Sequence, residues 1–128
     1  MIIDRVKTED AIPYWDYDAP VTKETPRDVS AASVTASAMI ELSTMVPDGQ
    51  KYLDYAEKIL KSLSSDAYLA KVGDNQGFIL MHSVGSLPNG SEIDTPLNYA
   101  DYYYLEALKR FMELKKLRVE NGELRVIQ

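Results

Sequence analysis

The 128 residues include no cysteine and a single histidine. Without thiols there is no disulfide framework, no thiolate zinc site and no cysteine nucleophile. With one histidine and no GxGxxG, GxxxxGK[ST] or HExxH pattern, the dinucleotide, P-loop and zinc-hydrolase classes fall away, so neither cofactor nor metal is expected. Long apolar runs are missing too: the longest, such as "GFILM", fall far short of the roughly 20 residues a bilayer requires. The start, "MIIDRVKTED", lacks a basic stretch followed by an apolar one, so no leader is read there and location stays open between cytoplasm and periplasm of a bacterium. Positive charge is scarce: 14 Lys and Arg against 20 Asp and Glu give a net charge of −6. That balance disfavours nucleic acid and anionic membranes as partners, because both are held by clustered cations.

What the chain does have is the composition of one foldable domain, with 45% hydrophobic and 27% charged residues. "MIIDRV" reads as the last turns of an amphipathic helix with no capping residue ahead of it, so the chain enters mid-element. Three prolines in "AIPYWDYDAPVTKETP" remove amide donors and restrict the residues before them, which predicts a structured loop over 11–26. Asp28 can cap a helix reaching about Val46, small or apolar on nearly every side and able to let a neighbour approach closely. From Lys51 to Leu63 the apolar residues Leu53, Ala56, Ile59, Leu60 and Leu63 fall on one stripe, predicting an outer amphipathic helix. "GFILMHSV" is read as a short extended segment. A last long helix runs from after Asn98 to about Leu117, with Tyr104, Leu105, Leu108, Phe111 and Met112 at helical spacing. "LRVENGELRVI" brackets Asn121-Gly122 with two alternating runs, the pattern of a hairpin.

Several residues invite a chemical reading. In "PYWDYDAP", Trp15 and two tyrosines interleave with Asp16 and Asp18 between prolines. Aromatic faces stack on sugar rings while carboxylates accept from hydroxyls, which suits a carbohydrate site; equally, Trp15 can plug the core and the aspartates cap nearby amides. Asp16 and Asp18, two apart on extended backbone, point opposite ways and do not make a glycosidase pair. His82 can serve as base, donor or structural residue, and it heads a loop with Gly85 and Gly90, where function concentrates. The tyrosines of "YADYYYLEAL" read as helix packing, with Asp101 favoured near the helix start by the macrodipole.

Two stretches, "IPYWDYDAP…PRDVSAASVTASAMIEL" and "GFILMHSVGSLPNGSEIDTPLNYADYYYLEALKR", together resemble the C-terminal part of family 88 glycoside hydrolases, the unsaturated glucuronyl hydrolases. The resemblance covers about Ile12 to Arg110; the sister family of unsaturated rhamnogalacturonyl hydrolases fits less well. It implies an all-α fold, residues 1–128 forming one partial domain: the C-terminal portion of an (α/α)6 barrel with three main helices, loops and a short C-terminal hairpin. It implies a hydrolase acting on oligosaccharides left by polysaccharide lyases, in which protonation and hydration of the C4–C5 double bond of the terminal uronic acid release the next sugar. The family's two catalytic aspartates lie in its N-terminal half, so no catalytic role falls to any aspartate here and the chain is expected to be inactive alone. Trp15, Asp16, His82, Ser83 and Asp94 are the residues expected to line or shape the pocket rim. Relatives that process sulfated glycosaminoglycans place serines and a lysine in the last loop; "GSLPNGSEID" has the serines and no lysine. The expected partners are an unsaturated uronyl oligosaccharide and, through exposed helix faces, further copies of the chain. The rival reading is a non-catalytic helical sugar-binding or assembly module.

Overall fold

A computed structural model describes residues 2–18, 20–85 and 94–120. Its elements are α1 (Ile2–Arg5), α2 (Val29–Ser43), α3 (Gln50–Leu63), a 3-10 turn (Asn75–Gly77) and α4 (Asn98–Glu120). The central element is α2, which packs on α3 along one side and α4 along another.

The local causes are legible. Asp28 sits in extended backbone and its carboxylate accepts from Ser30 N, capping α2 as expected. Because α2 is rich in Ala and Ser, it buries residues on two sides at once, among them Val29, Ala32, Ser33, Ala36, Ser37 and Ile40. On α3 all five residues of the sequence stripe are buried. Fully burying each of its leucines or isoleucines contributes about 1.5–3 kcal/mol, which is what holds this outer helix down. α2 and α4 are further tied by polar groups: Ser37 Oγ donates to Glu106, and Arg110 donates to both Ser37 O and Ser37 Oγ at 3.1 Å.

Three features depart from the sequence reading. "GFILMHSV" forms no strand; among the described residues only single bridges occur, Leu69 with Leu80 and Ser83 with Thr95 in this region. Beyond two backbone bonds with the Leu69 bridge, Ala70 N to Ile79 O and Met81 N to Tyr68 O, its hydrogen bonds go elsewhere: the Asp101 carboxylate accepts from Ile79 N and Leu80 N, both at 2.9 Å, while the Asn75 amide donates to Phe78 O and Leu80 O. Asp101 therefore does more than complement a helix dipole, since it fastens this segment to α4. Secondly, Leu117–Glu120 continue α4, so the first arm of the expected hairpin is helical. Helix formers in "ELKKLR" and the Arg118 bond to Gln50 carry the helix past the local turn signal; residues 121–128, with the rest of that hairpin, lie outside the described residues.

Thirdly, the inward face of α4 is Ala100, Tyr104 and Ala107, flanked by Leu108, Phe111 and Leu114. Leu105 and Met112, placed on the same stripe by spacing, point outward at 51% and 68% exposure. Tyr102 on α4 and Val34 and Leu42 on α2 are exposed as well. The two helices thus carry apolar residues that nothing among the described residues covers. No described helix is long and apolar enough to cross a membrane.

Candidate functional site

The N-terminus of α2 organises the loops around it. Its first amide, Val29 N, donates to His82 O at 3.1 Å, and Asp28 Oδ1 accepts from Ser30 N, Ser30 Oγ and Val84 N. Residues 82–84 are in this way pinned to the helix start from both sides. Ser83 then exchanges two backbone hydrogen bonds with Thr95, at 3.0 and 2.9 Å. That exchange brings the neighbouring side chains together: His82 Nδ1 lies 2.5 Å from Asp94 Oδ1. Both residues have left-handed backbone, with φ of 71° and 49°.

A second cluster adjoins this pair. Tyr68 Oη donates to Asp10 Oδ2 at 2.6 Å, and Arg27 Nη1 donates to Asp10 Oδ1 at 2.9 Å and Ile12 O at 2.8 Å. Arg27 also stacks over the Tyr14 ring, 4.6 Å from its centroid. Tyr68 and His82 form a T-shaped pair, with ring centroids 6.1 Å apart and planes near perpendicular. The two clusters share an open cleft of about 640 Å3 whose walls include Lys23, Pro26, Arg27, Tyr68, His82 and Asp94.

Electrostatics fixes the protonation of the buttress. Burial pushes the Asp10 carboxyl up, but hydrogen bonds from Tyr68, Ile12 N and Arg27, with the charge of Arg27, outweigh it and hold the carboxyl below its ordinary 3.8. Burial, followed by the bond to Asp10, pushes the Tyr68 phenol well above its usual value, so it stays a donor at neutral pH. Because the folded pKa of Asp10 is depressed, its stabilisation is fully present above the unfolded carboxylate pKa and is lost as pH falls through the folded value. Asp10→Asn is therefore expected to lower Tm at about pH 7 and to flatten the fall of Tm below about pH 4. Parallel melting curves across that range check this; an equally steep acid decline in both proteins would refute it.

The five rim candidates separate. His82 and Asp94 face one cleft. Trp15 is half-buried and reaches that wall through its backbone, Trp15 N donating to Pro26 O at 3.0 Å. Asp16 is exposed, accepts from Asp18 N at 2.8 Å and lines a different groove with Arg5, Tyr14 and Tyr17. Asp18 pairs with Arg5 instead. Ser83 is fully buried, its Oγ without a hydrogen-bond partner among the described residues. Of the "GSLPNGSEID" loop, residues 86–93 lie outside the described residues. Asp10, Arg27 and Tyr68 escaped the sequence reading. The one available signal was Arg27 directly before the helix cap in "TPRDV". Among the described residues no group of three or more His, Cys, Asp or Glu could hold a metal ion.

These helices and the loops at their ends define a segment of an (α/α)6-barrel glycoside hydrolase. Comparison with known proteins makes the assignment specific. The chain is 48% identical over 106 residues to the unsaturated glucuronyl hydrolase of Formosa agariphila, covering 83% of this chain and 26% of that protein. Against the unsaturated glucuronyl hydrolase of a Bacillus species the identity is 32% over 106 residues, covering 80% and 28%. In structure it superposes on an unsaturated glucuronyl hydrolase specific for heparin with a TM-score of 0.83 and 66% identity, over 85% of this chain and 29% of the other. A point mutant of the Streptococcus agalactiae unsaturated glucuronyl hydrolase, solved with dGlcA-GalNAc6S, gives a TM-score of 0.76 at 31% identity, over 84% and 29%. No family model matches the chain. The chain belongs to the unsaturated glucuronyl hydrolases and spans about a quarter of the length of the curated relatives it matches.

Proposed function

We propose that these residues form the rim of the sugar pocket in an unsaturated glucuronyl hydrolase that acts on unsaturated uronyl oligosaccharides from polysaccharide lyases. The observation that carries this is the 66% identity, at a TM-score of 0.83, with a solved enzyme of that activity. In the reaction a proton adds to C4 of the vinyl ether and water to C5. The resulting hemiketal opens and releases the neighbouring sugar.

Two described carboxylates at and beside the cleft do not suit the proton donor. Asp10 is held ionised by Tyr68 and Arg27, and Asp94 is engaged by His82. A general acid needs a carboxyl kept protonated near working pH, the reverse of what Arg27 does to Asp10. We place the protonating carboxyl, as the family resemblance implies, in the part of the relatives' length that this chain does not span, and expect the chain by itself to be inactive. Its uncovered apolar residues, Leu105 and Met112 above all, favour association with further copies.

One experiment tests both statements. The purified chain is run through size exclusion with light scattering, and each fraction is incubated with an unsaturated uronyl disaccharide while the double-bond absorbance is followed. Masses above the monomer and no turnover are expected. Turnover by any fraction refutes the inactivity, and a strictly monomeric profile refutes the association. A non-catalytic sugar-binding or assembly module remains the rival; calorimetric binding of the disaccharide without turnover would support it.

A further inference from the structure

The apolar residues left uncovered on α2 and α4 are not scattered. On α2 the exposed residues Val34, Ala38 and Leu42, with Met45 just past its end, recur at intervals of three or four and so share one side of the helix. On α4 the exposed positions Tyr102, Leu105, Lys109, Met112, Lys116 and Val119 recur in the same way. Each is a stripe of the kind a helix ordinarily turns toward a neighbour. The two lysines are compatible with that, since a lysine stem can cover apolar surface while its ammonium group stays in water. Both helices already bury another side, α2 against α3 and α4, and α4 around Ala100, Tyr104 and Ala107. The stripes are therefore additional faces, beyond those that hold the three helices together.

The closed form of the fold says what covers them. Six hairpins in a ring leave no free side, whereas a segment of that ring taken alone has two. The chain superposes as such a segment on a whole enzyme of the family, over most of its own length and under a third of that enzyme's. Helices placed alike turn the same sides toward the rest of the ring. Bare stripes on two different helices are what such a segment leaves, and single scattered apolar residues would need no such explanation.

We propose that the α2 and α4 stripes are the docking surface for the complementary part of the barrel, and that this part, supplied as a separate polypeptide, assembles with the chain one to one without a covalent link. The partner is a helical chain that presents apolar helix sides to both stripes, with acidic residues beside Lys109 and Lys116. The proposal rests on the reading that the chain is a segment of a hydrolase ring, and adds that the segment docks as an independent part. Association of copies is then what these faces do when that partner is absent.

The probe is the Formosa agariphila hydrolase with the quarter that matches this chain deleted, untagged and co-expressed with the tagged chain. The expected result is co-purification at one to one, with masses above the monomer replaced by that of the heterodimer. The intact Formosa hydrolase, whose ring already holds its own copy of this segment, should not be retained. Leu42→Asp and Leu105→Asp should each weaken retention by about tenfold or more, the loss expected when a buried leucine gives way to a desolvated charge. Both residues are exposed in the chain alone, so its helical circular dichroism should not change. Val72→Asp, at a fully exposed loop residue outside both stripes, should leave retention unaltered. A deletion product that stays insoluble or unretained overturns the proposal, as does equal retention by Leu105→Asp and Val72→Asp. Retention of the intact hydrolase overturns it too, by showing general stickiness. Turnover of the unsaturated uronyl disaccharide separates the two readings: a one-to-one complex without turnover sustains the docking and tells against the hydrolase pocket, while no complex overturns the docking and leaves the pocket reading standing.

Discussion

Gly49→Ala is expected to destabilise the fold by about 3 kcal/mol and to lower Tm by about 10 °C, well beyond what the loss of a glycine N-cap costs. Gly49 precedes α3 with φ −61° and ψ −24°, ordinary right-handed helical backbone that alanine also adopts. As the N-cap of α3 the position also favours glycine over alanine, though by under about 1 kcal/mol. The obstacle is steric: a Cβ on Gly49 falls 1.9 Å from Ser43 O, 2.7 Å from Ser43 C and 2.9 Å from Ser43 Cα. Those atoms are the backbone of the last residue of α2, so no rotamer relieves the clash. Relief requires the end of α2 to move away from the start of α3, which disturbs the burial of Leu53, Ala56 and Leu60. Gly73→Ala is the control. Gly73 has φ +89° but nothing within 4 Å of an added Cβ, so its cost is only the backbone strain, about 1–2 kcal/mol. Chemical denaturation of both variants decides the matter; a loss at Gly49 below about 0.5 kcal/mol, within the usual range of surface changes, would show that the α2–α3 contact is softer than its geometry.

The same contrast, local preference against tertiary placement, separates what the sequence makes legible from what it hides. The three long helices are legible because their signals are local: the Asp28 cap, the five-residue stripe of α3, the start at Asn98. Leu105 and Met112 mislead for the same reason, since spacing places them near the buried stripe while the tilt of α4 against α2 decides which residues face inward. "GFILM" has the composition of a strand, but the acceptors for its Ile79 and Leu80 amides come from Asp101, more than twenty residues on. The site behaves likewise. His82 and Asp94 flank one loop, so loop chemistry points to both. The buttress at positions 10, 27 and 68 is assembled across 58 residues of chain, with no period that could announce it. For Trp15 and Asp16 composition does not say which groove a residue faces: Asp16 accepts from Asp18 N and lines a groove apart from His82 and Asp94.

Asp28→Ala is expected to cost about 2–4 kcal/mol and to disorder the cleft at the same time. Losing a helix cap alone costs about 1 kcal/mol. Here the same oxygen also accepts from Ser30 Oγ at 2.6 Å and Val84 N at 3.2 Å, and Asp28 is only 9% exposed, so the abandoned donors are left with little access to water. Each buried donor without a partner adds about 1–3 kcal/mol. The structural consequence reaches further than the helix. With Val84 released, residues 82–84 keep only the Val29 N to His82 O bond at the helix start, and the His82–Asp94 pairing loses one of the two anchors that align it. Asp28→Asn retains a side-chain oxygen in the accepting position and should recover most of the stability and an ordered His82 signal. Urea melts, read together with the ring signals of the one histidine, distinguish the two roles. If Asp28→Ala costs less than about 1 kcal/mol the residue is a simple cap. If it costs the full amount but leaves the His82 signals unchanged, the loop is held by Ser83 and Thr95 instead, and the coupling between the α2 cap and the cleft is wrong.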